Sequence, residues 1–263
     1  MKRPEQGGFD GRSALAKQLM IYENAVPISA ETHRDTSVRT GGSFRFAADI
    51  NSVPLVAAEF ERAAADYPIV FAGEGEGIAP AAVLGLKDGE NLFLKDDGTW
   101  DAAYVPAFLR RYPFVFASTG EKGETLTLCL DEAYEGVNTE GKGERLFDAE
   151  GARTQYLRNV LQFTSDYQAQ HNLTRRLVAR LVELKLLEPA TATMTLPDGS
   201  TRNLAGFQRV SQERLRALDD AVVLELFRSD MLGLIYAHLA SLGQLNALVR
   251  RAPPTPAPNG KAA

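Results

Sequence analysis

Apolar residues in this chain change their spacing near residue 150, and any fold must accommodate both periods. Residues 21 to about 135 carry short apolar runs split by Gly, Pro and Asp, the pattern of strands and tight turns with a few short helices. Ile69-Val70-Phe71, Leu92-Phe93-Leu94, Phe114-Val115-Phe116 and Leu126 to Leu130 are predicted strands. Asp88-Gly89 and Asp97-Gly98 flank the second run and can supply the positive φ of hairpin turns, which predicts an antiparallel meander over 82–104. In Leu126 to Leu130 the leucines alternate with smaller groups, so one strand face should be buried and the other half-covered.

Beyond residue 150 a helical period takes over. Leu157, Val160, Leu161, Thr164, Tyr167 and Gln168 form one stripe, continued by Leu173, Leu177, Leu181 and Leu184, which predicts one long helix or two joined near Asn172. Pro197-Asp198-Gly199 predicts a hairpin over 193–204. Ser211 is placed to cap the next helix, with Glu213 near its positive end and Leu215, Leu218, Val222 and Leu226 on one side. A last helix should carry Leu232, Ile235, Tyr236, Leu239 and Leu242.

The expected fold class is therefore α+β: an antiparallel β-rich N-terminal part with short helices, then a mainly helical C-terminal part with one β-hairpin. The expected division is a flexible N-terminus at 1–20, a β-rich part at 21–150, a helical part at 151–252 and a disordered Pro-rich tail at 253–263. One internal echo stands out: Asp66-Tyr67-Pro68-Ile69-Val70-Phe71-Ala72 matches Arg111-Tyr112-Pro113-Phe114-Val115-Phe116-Ala117. In both copies a helix-compatible stretch (56–65 and 105–111) runs into Tyr-Pro, where proline ends the helix and a strand begins.

With 263 residues and 44% apolar content the chain can bury a full core without disulfides or metal. A net charge of −5 and the lack of any Lys/Arg run argue against nucleic acid and anionic lipid as partners. Gly7, Gly8, Asp10, Gly11 and Arg12 interrupt the stretch where a signal peptide would be apolar. The richest apolar stretch, 231–248, is broken by glycines and polar residues, so no membrane span is expected. Cys129 is the single cysteine, which excludes an intrachain disulfide. These points together predict a cytoplasmic location.

The chain also reads Tyr22-Glu23-Asn24-Ala25-Val26-Pro27, Asn51-Ser52-Val53-Pro54-Leu55-Val56, Glu59-Phe60 and Asp66 to Phe71. Leu84-Gly85-Leu86, Glu90-Asn91-Leu92-Phe93, Asp97-Gly98-Thr99-Trp100, Tyr104 to Phe114 and Leu146-Phe147-Asp148 follow. This string resembles the SapC family from about residue 20 to 250. The resemblance implies a link to secretion of a bacterial surface-layer protein, and a neighbourhood of TonB-dependent receptors and flavin-dependent halogenases. It brings no established catalytic residues, and it is distinct from the peptide-transporter permease that shares the name.

Chemistry-bearing candidates are few. Gly73-Glu74-Gly75-Glu76-Gly77 has the wrong glycine spacing for a dinucleotide loop and sets two carboxylates where a pyrophosphate would lie, so no cofactor is expected. Asp96-Asp97-Gly98 reads as a turn rather than a calcium loop. His33, His171 and His238 are too scattered in sequence to assign a metal site; the latter two read as helix-packing residues. Acidic neighbours should raise the Cys129 pKa, the reverse of a nucleophile's need. His33, Arg34 and Asp35 could join a proton carrier to a carboxylate clamp. Trp100, Tyr104, Arg110, Arg111 and Tyr112 form the segment richest in interface-type residues, and the paired arginines could hold a carboxylate or phosphate.

The leading expectation is a non-catalytic accessory protein with a protein or peptide partner, in export or assembly of a cell-surface protein; a homo-oligomer is compatible with it. The alternative is an enzyme or enzyme partner in a modification pathway, with His33 and Asp35 in acid/base or metal roles.

Overall fold

A computed structural model describes residues 21–119 and 125–253. The expected flexible end at 1–20, and all of the expected tail at 253–263 except Pro253, lie outside those residues. The fold is α+β, with a β-rich N-terminal region and a mainly helical C-terminal region that contains one hairpin.

Three antiparallel sheets organise the chain. The first joins β1 (Ala25–Pro27), β7 (Thr125–Asp131) and β6 (Phe114–Thr119) in that order. The second has the order β10-β11-β4-β5-β3, from β10 (Leu187–Thr195), β11 (Thr201–Val210), β4 (Ile69–Ala72), β5 (Ala79–Val83) and β3 (Ser52–Pro54). A small third sheet sets β2 (Ser37–Val38) between β8 (Val137–Asn138) and β9 (Glu144–Arg145). The echoed Tyr-Pro units each deliver a strand, β4 and β6, but to different sheets. Each is preceded by a single helical turn, α2 (Phe60–Ala63) or α3 (Ala107–Arg110); α1 (Ala30–His33) lies nearer the start.

The expected meander over 82–104 contracts to one bridge, Leu94 with Trp100. Phe93 is the reason: its buried ring packs on Tyr67 and Trp100, while the Asn91 side chain receives the Phe93 N–H and donates to Ala47 O, so the backbone follows the ring instead of a ladder. The Gly73 to Gly77 stretch is the β4–β5 hairpin loop, where Gly73 has φ +100° and a Cβ would lie 2.4 Å from Gly77 O. A hairpin needs this loop; a phosphate-binding loop would have opened a helix.

Residues 155–183 form one continuous helix, α4 (Gln155–Glu183), capped by Thr154 Oγ1, which accepts the Leu157 N–H at 3.3 Å. Its buried stripe departs from the predicted one at a single turn. Leu173 is 47% exposed, and Thr174 takes the inner position because its hydroxyl must receive the Ala57 N–H at 2.7 Å. The helix ends with Leu186 N–H bonded to Leu181 O and Lys185 in left-handed conformation at φ 54°, a position that favours glycine.

Past the hairpin, α5 (Gln212–Arg216), α6 (Asp220–Arg228), α7 (Met231–Ser241) and α8 (Leu245–Arg251) close the chain. Ser211 stands at the first N-cap without a side-chain cap bond. Of the residues the last helix was expected to carry, Ile235 is buried and Tyr236 is 57% exposed; His238, read as a helix-packing residue, is buried. Contrary to the sequence reading, the stretch 231–251 is long and apolar enough by length and composition to cross a membrane. In this fold its inner side is bonded to a sheet.

That bonding completes the five-stranded sheet. β11 and β4 pair at Phe207 with Ala72 and Gln208 with Phe71, a register that would next bring Val210 opposite Ile69. The His238 ring stands in that gap: Nε2 receives the Val210 N–H at 3.0 Å and Nδ1 donates to Ile69 O at 2.9 Å. One turn on, Ser241 Oγ receives the Ile69 N–H at 2.9 Å and donates to His238 O. The relay requires a neutral ring, and burial pushes the His238 pKa down from 6.5 to about 4.

Two predictions follow from these bonds. The unfolded chain takes up a proton near pH 6.5 while the folded ring resists, so the relay's contribution is full above pH 6.5 and declines towards pH 4. Denaturant titrations should lose on the order of 3 kcal/mol across that window beyond any loss in His238→Leu; equal pH slopes for the two proteins would refute this. Replacing the left-handed residue, Lys185→Gly, should raise stability by about 0.5–1 kcal/mol, read as a higher urea midpoint at unchanged m-value.

Candidate functional site

The segment from Trp100 to Tyr112 is held to the fold by three buried or half-buried acceptors. Tyr67 Oη receives the Trp100 indole N–H at 2.7 Å and donates to Tyr104 O. Glu59, itself buried, receives Tyr104 Oη–H at 2.8 Å and the Ala107 N–H at 2.6 Å on one oxygen, and the Val56 N–H at 2.9 Å on the other. The carboxylate thereby serves the positive ends of two helical turns, the one beginning at Ala57 and α3. Asp131, also buried, receives Tyr112 Oη–H at 3.2 Å and the N–H groups of Glu23, Asn24 and Ala133.

The predicted residues therefore fall in separate settings. Trp100 stacks on Phe93 and meets Phe44 edge-on, with Arg251 above the far face of the Phe93 cluster and paired to Asp101 at 2.6 Å. Tyr112 stacks on Phe46 at 4.0 Å and touches Tyr22 and Tyr134. Tyr104 and Arg110 come together: Arg110 is exposed, donates from Nε to Val105 O at 2.9 Å and from Nη2 to Tyr104 Oη at 3.2 Å, and lies over the Tyr104 and Phe163 rings. Arg111 turns inward. It is 5% exposed, with its guanidinium carbon 4.7 Å from the Phe108 ring centre, 4.8 Å from Tyr167 and 5.9 Å from Tyr22.

Arg111 makes no ion pair among the described residues, and its Nε and Nη2 are buried without a hydrogen-bond partner. Tyr167 Oη and His171 Nδ1, one turn apart on α4, are in the same condition. Burial, then Arg175 and Arg111, hold the His171 pKa below its ordinary value, and burial raises the Tyr167 phenol against the opposing pull of Arg111. Sequence reading singled out Arg111 but missed Tyr167 as a polar residue and met Glu59 only as a letter of the family string. Tyr167 looked like one more member of an apolar stripe; the only signal for Glu59 was its place three residues after Val56, where a glutamate can reach back to the helix start.

His33, Arg34 and Asp35 do not converge. His33 is buried, with Nδ1 receiving the Ser29 N–H at 3.3 Å and Nε2 3.3 Å from Glu132 Oε1, a close approach without hydrogen-bond geometry. Arg34 reaches Ala149 O, and exposed Asp35 pairs with Arg145 at 3.1 Å. No group of three or more His, Cys, Asp or Glu suited to a metal occurs among the described residues. Burial raises the Cys129 pKa, and the acidic neighbours expected to do so are not a cause. A groove of about 300 Å³ lined by Leu215, Arg216, Tyr236 and Leu239 lies apart from all these groups.

The profile of one protein family, SapC, matches residues 28–248. The chain belongs to the SapC family. No curated protein and no solved structure matches it. Membership corrects the expected cytoplasmic location: SapC is a surface-layer-associated family, which implies an extracytoplasmic setting. The cytoplasmic expectation rested on the interrupted stretch at Gly7 to Arg12, the broken apolar stretch 231–248 and the single cysteine, and a lone buried thiol is chemically compatible with either compartment. Membership also supports an accessory, non-catalytic role for this SapC chain.

The Glu59 arrangement is directly testable. Glu59→Gln keeps one acceptor oxygen but turns an N–H₂ donor towards a backbone or phenol donor, and should cost about 2–3 kcal/mol in urea unfolding. Glu59→Gln at wild-type stability would show that the carboxylate is not what fastens the segment.

Proposed function

We propose that this SapC-family chain is a non-catalytic accessory protein that binds a protein or peptide partner during export or assembly of a bacterial cell-surface protein. The observation that carries this reading is the family match across residues 28–248. The use of the polar groups supports it. Glu59, Asp131 and His238, the buried groups with the greatest chemical capacity, each serve several backbone N–H or C=O groups and have little freedom to act on a substrate.

Arg110 is the first contact to test. Its guanidinium is exposed, tethered to Val105 O and Tyr104, and laid over two aromatic rings, so little side-chain entropy remains to be lost when a partner's acidic group arrives. The half-buried rings of Tyr104 and Phe163 would supply the apolar part of that contact.

A photo-crosslinking residue at exposed Asp166, one turn from Phe163 on α4, should give a discrete adduct with one envelope protein in cells. Arg110→Glu in the same background should lower its yield by about tenfold with no change in melting temperature. No adduct, or an adduct indifferent to Arg110→Glu, would remove this surface from the reading.

A further inference from the structure

Arg111 is a buried cation that its own fold leaves without an anion. Its backbone N–H is fixed to Ala107 O at 3.0 Å, so the side chain enters the interior from the end of α3. The ring faces of Phe108, Tyr167 and Tyr22 offset part of the cost of dehydrating the charge, yet they offer no acceptor for Nε–H or Nη2–H. These two atoms form the side-on edge of the guanidinium, the edge that meets a carboxylate with two parallel hydrogen bonds.

The surroundings add two further unpartnered polar atoms and, among the described residues, no carboxylate paired with Arg111. Tyr167 Oη and His171 Nδ1 are both buried without a partner, and both lie close enough to Arg111 to feel its charge. The nearest candidate acids are already engaged, Glu59 by three donors and Asp131 by four. Tyr22, the third wall, donates its hydroxyl proton to Phe114 O at 2.8 Å and lies within hydrogen-bonding reach of the guanidinium, yet Nε and Nη2 are still left without a partner. An acceptor from outside the described residues is what this corner requires.

We propose that Arg111, Tyr167 and His171 form a recognition site for a single carboxylate, with the guanidinium edge taking both oxygens and the phenol and imidazole completing their hydrogen bonds. The inference rests on the binding-protein reading above and deepens it, since the carboxylate would belong to the partner. A monoanion fits better than phosphate or sulfate. Arg111 is the site's buried cation and Arg175, beyond His171, is exposed, so a dianion would bury a surplus negative charge. The shared chemistry covers both a chain-terminal carboxylate and an acidic side chain.

The test uses the full chain and defined probes. Sodium acetate at constant ionic strength should raise the melting temperature saturably in the millimolar range, beyond sodium chloride, and broaden the resonance of ¹³C-acetate. Tyr167→Phe, which removes one hydroxyl, should weaken acetate binding about fivefold, and Arg111→Met should abolish it. Tri-alanine with a free C-terminus binding more tightly than its amide would assign the site to a chain terminus; equal binding of amidated Ala-Asp-Ala would assign it to an acidic side chain.

Acetate no better than chloride, phosphate tighter than acetate, or full acetate affinity in Tyr167→Phe would each overturn the proposal. Should Arg111→Met not fold, Tyr167→Phe still decides. Free-anion binding and the Asp166 adduct are separate readouts: loss of the first with the second intact would defeat this site and leave the accessory role standing.

Discussion

Where the direct pairing of β11 with β4 stops, an imidazole ring carries the five-stranded sheet on across a missing rung. Direct pairing of Val210 with Ile69 would need no side chain, yet the strands part there and His238 carries the hydrogen bond across. Ser241 supplies the companion bond, so one face of α7 does the work of a short strand. Phe71 packs edge-on against the same ring at 5.0 Å, which fixes its orientation. The helical region and the sheet are therefore not two layers resting on each other; one is stitched into the other through polar atoms.

Glu59 performs a similar service on the N-terminal side. A buried carboxylate is expensive unless its lone pairs are filled, and here backbone N–H groups from two helical starts and a phenol fill them. The same acid thus ties the helical turn of the first Tyr-Pro unit to that of the second. Arg111, which closes the second unit's turn, is the opposite case: a buried charge with two of its donor nitrogens left without a partner. The contrast between a saturated acid and an unsaturated base, within one segment, is what gives the Arg111 corner its interest.

Much of the architecture was legible in residue spacing. The strands at Ile69, Phe114 and Leu126, the unbroken helix from Gln155 and the Pro-Asp-Gly hairpin all follow local rules, and local rules are what a single sequence displays. Where the reading failed, a distant partner decided the outcome. Leu92 to Leu94 lost its strand to the burial of one ring, and Leu173 yielded its inner place to a threonine that a backbone N–H required. At the candidate site, the aromatic and basic composition of 100–112 was visible, but which arginine would be interior was not, because that depends on Tyr22 and Tyr167, both far away in sequence.

The stitch at residue 238 also has a bearing on how the molecule comes into being. Ile69 leaves the ribosome long before His238 does, so a growing chain must carry β4 without this bridge until residue 238 has been made. Until then the sheet is a seam awaiting its last thread, open to any factor that captures chains before they close.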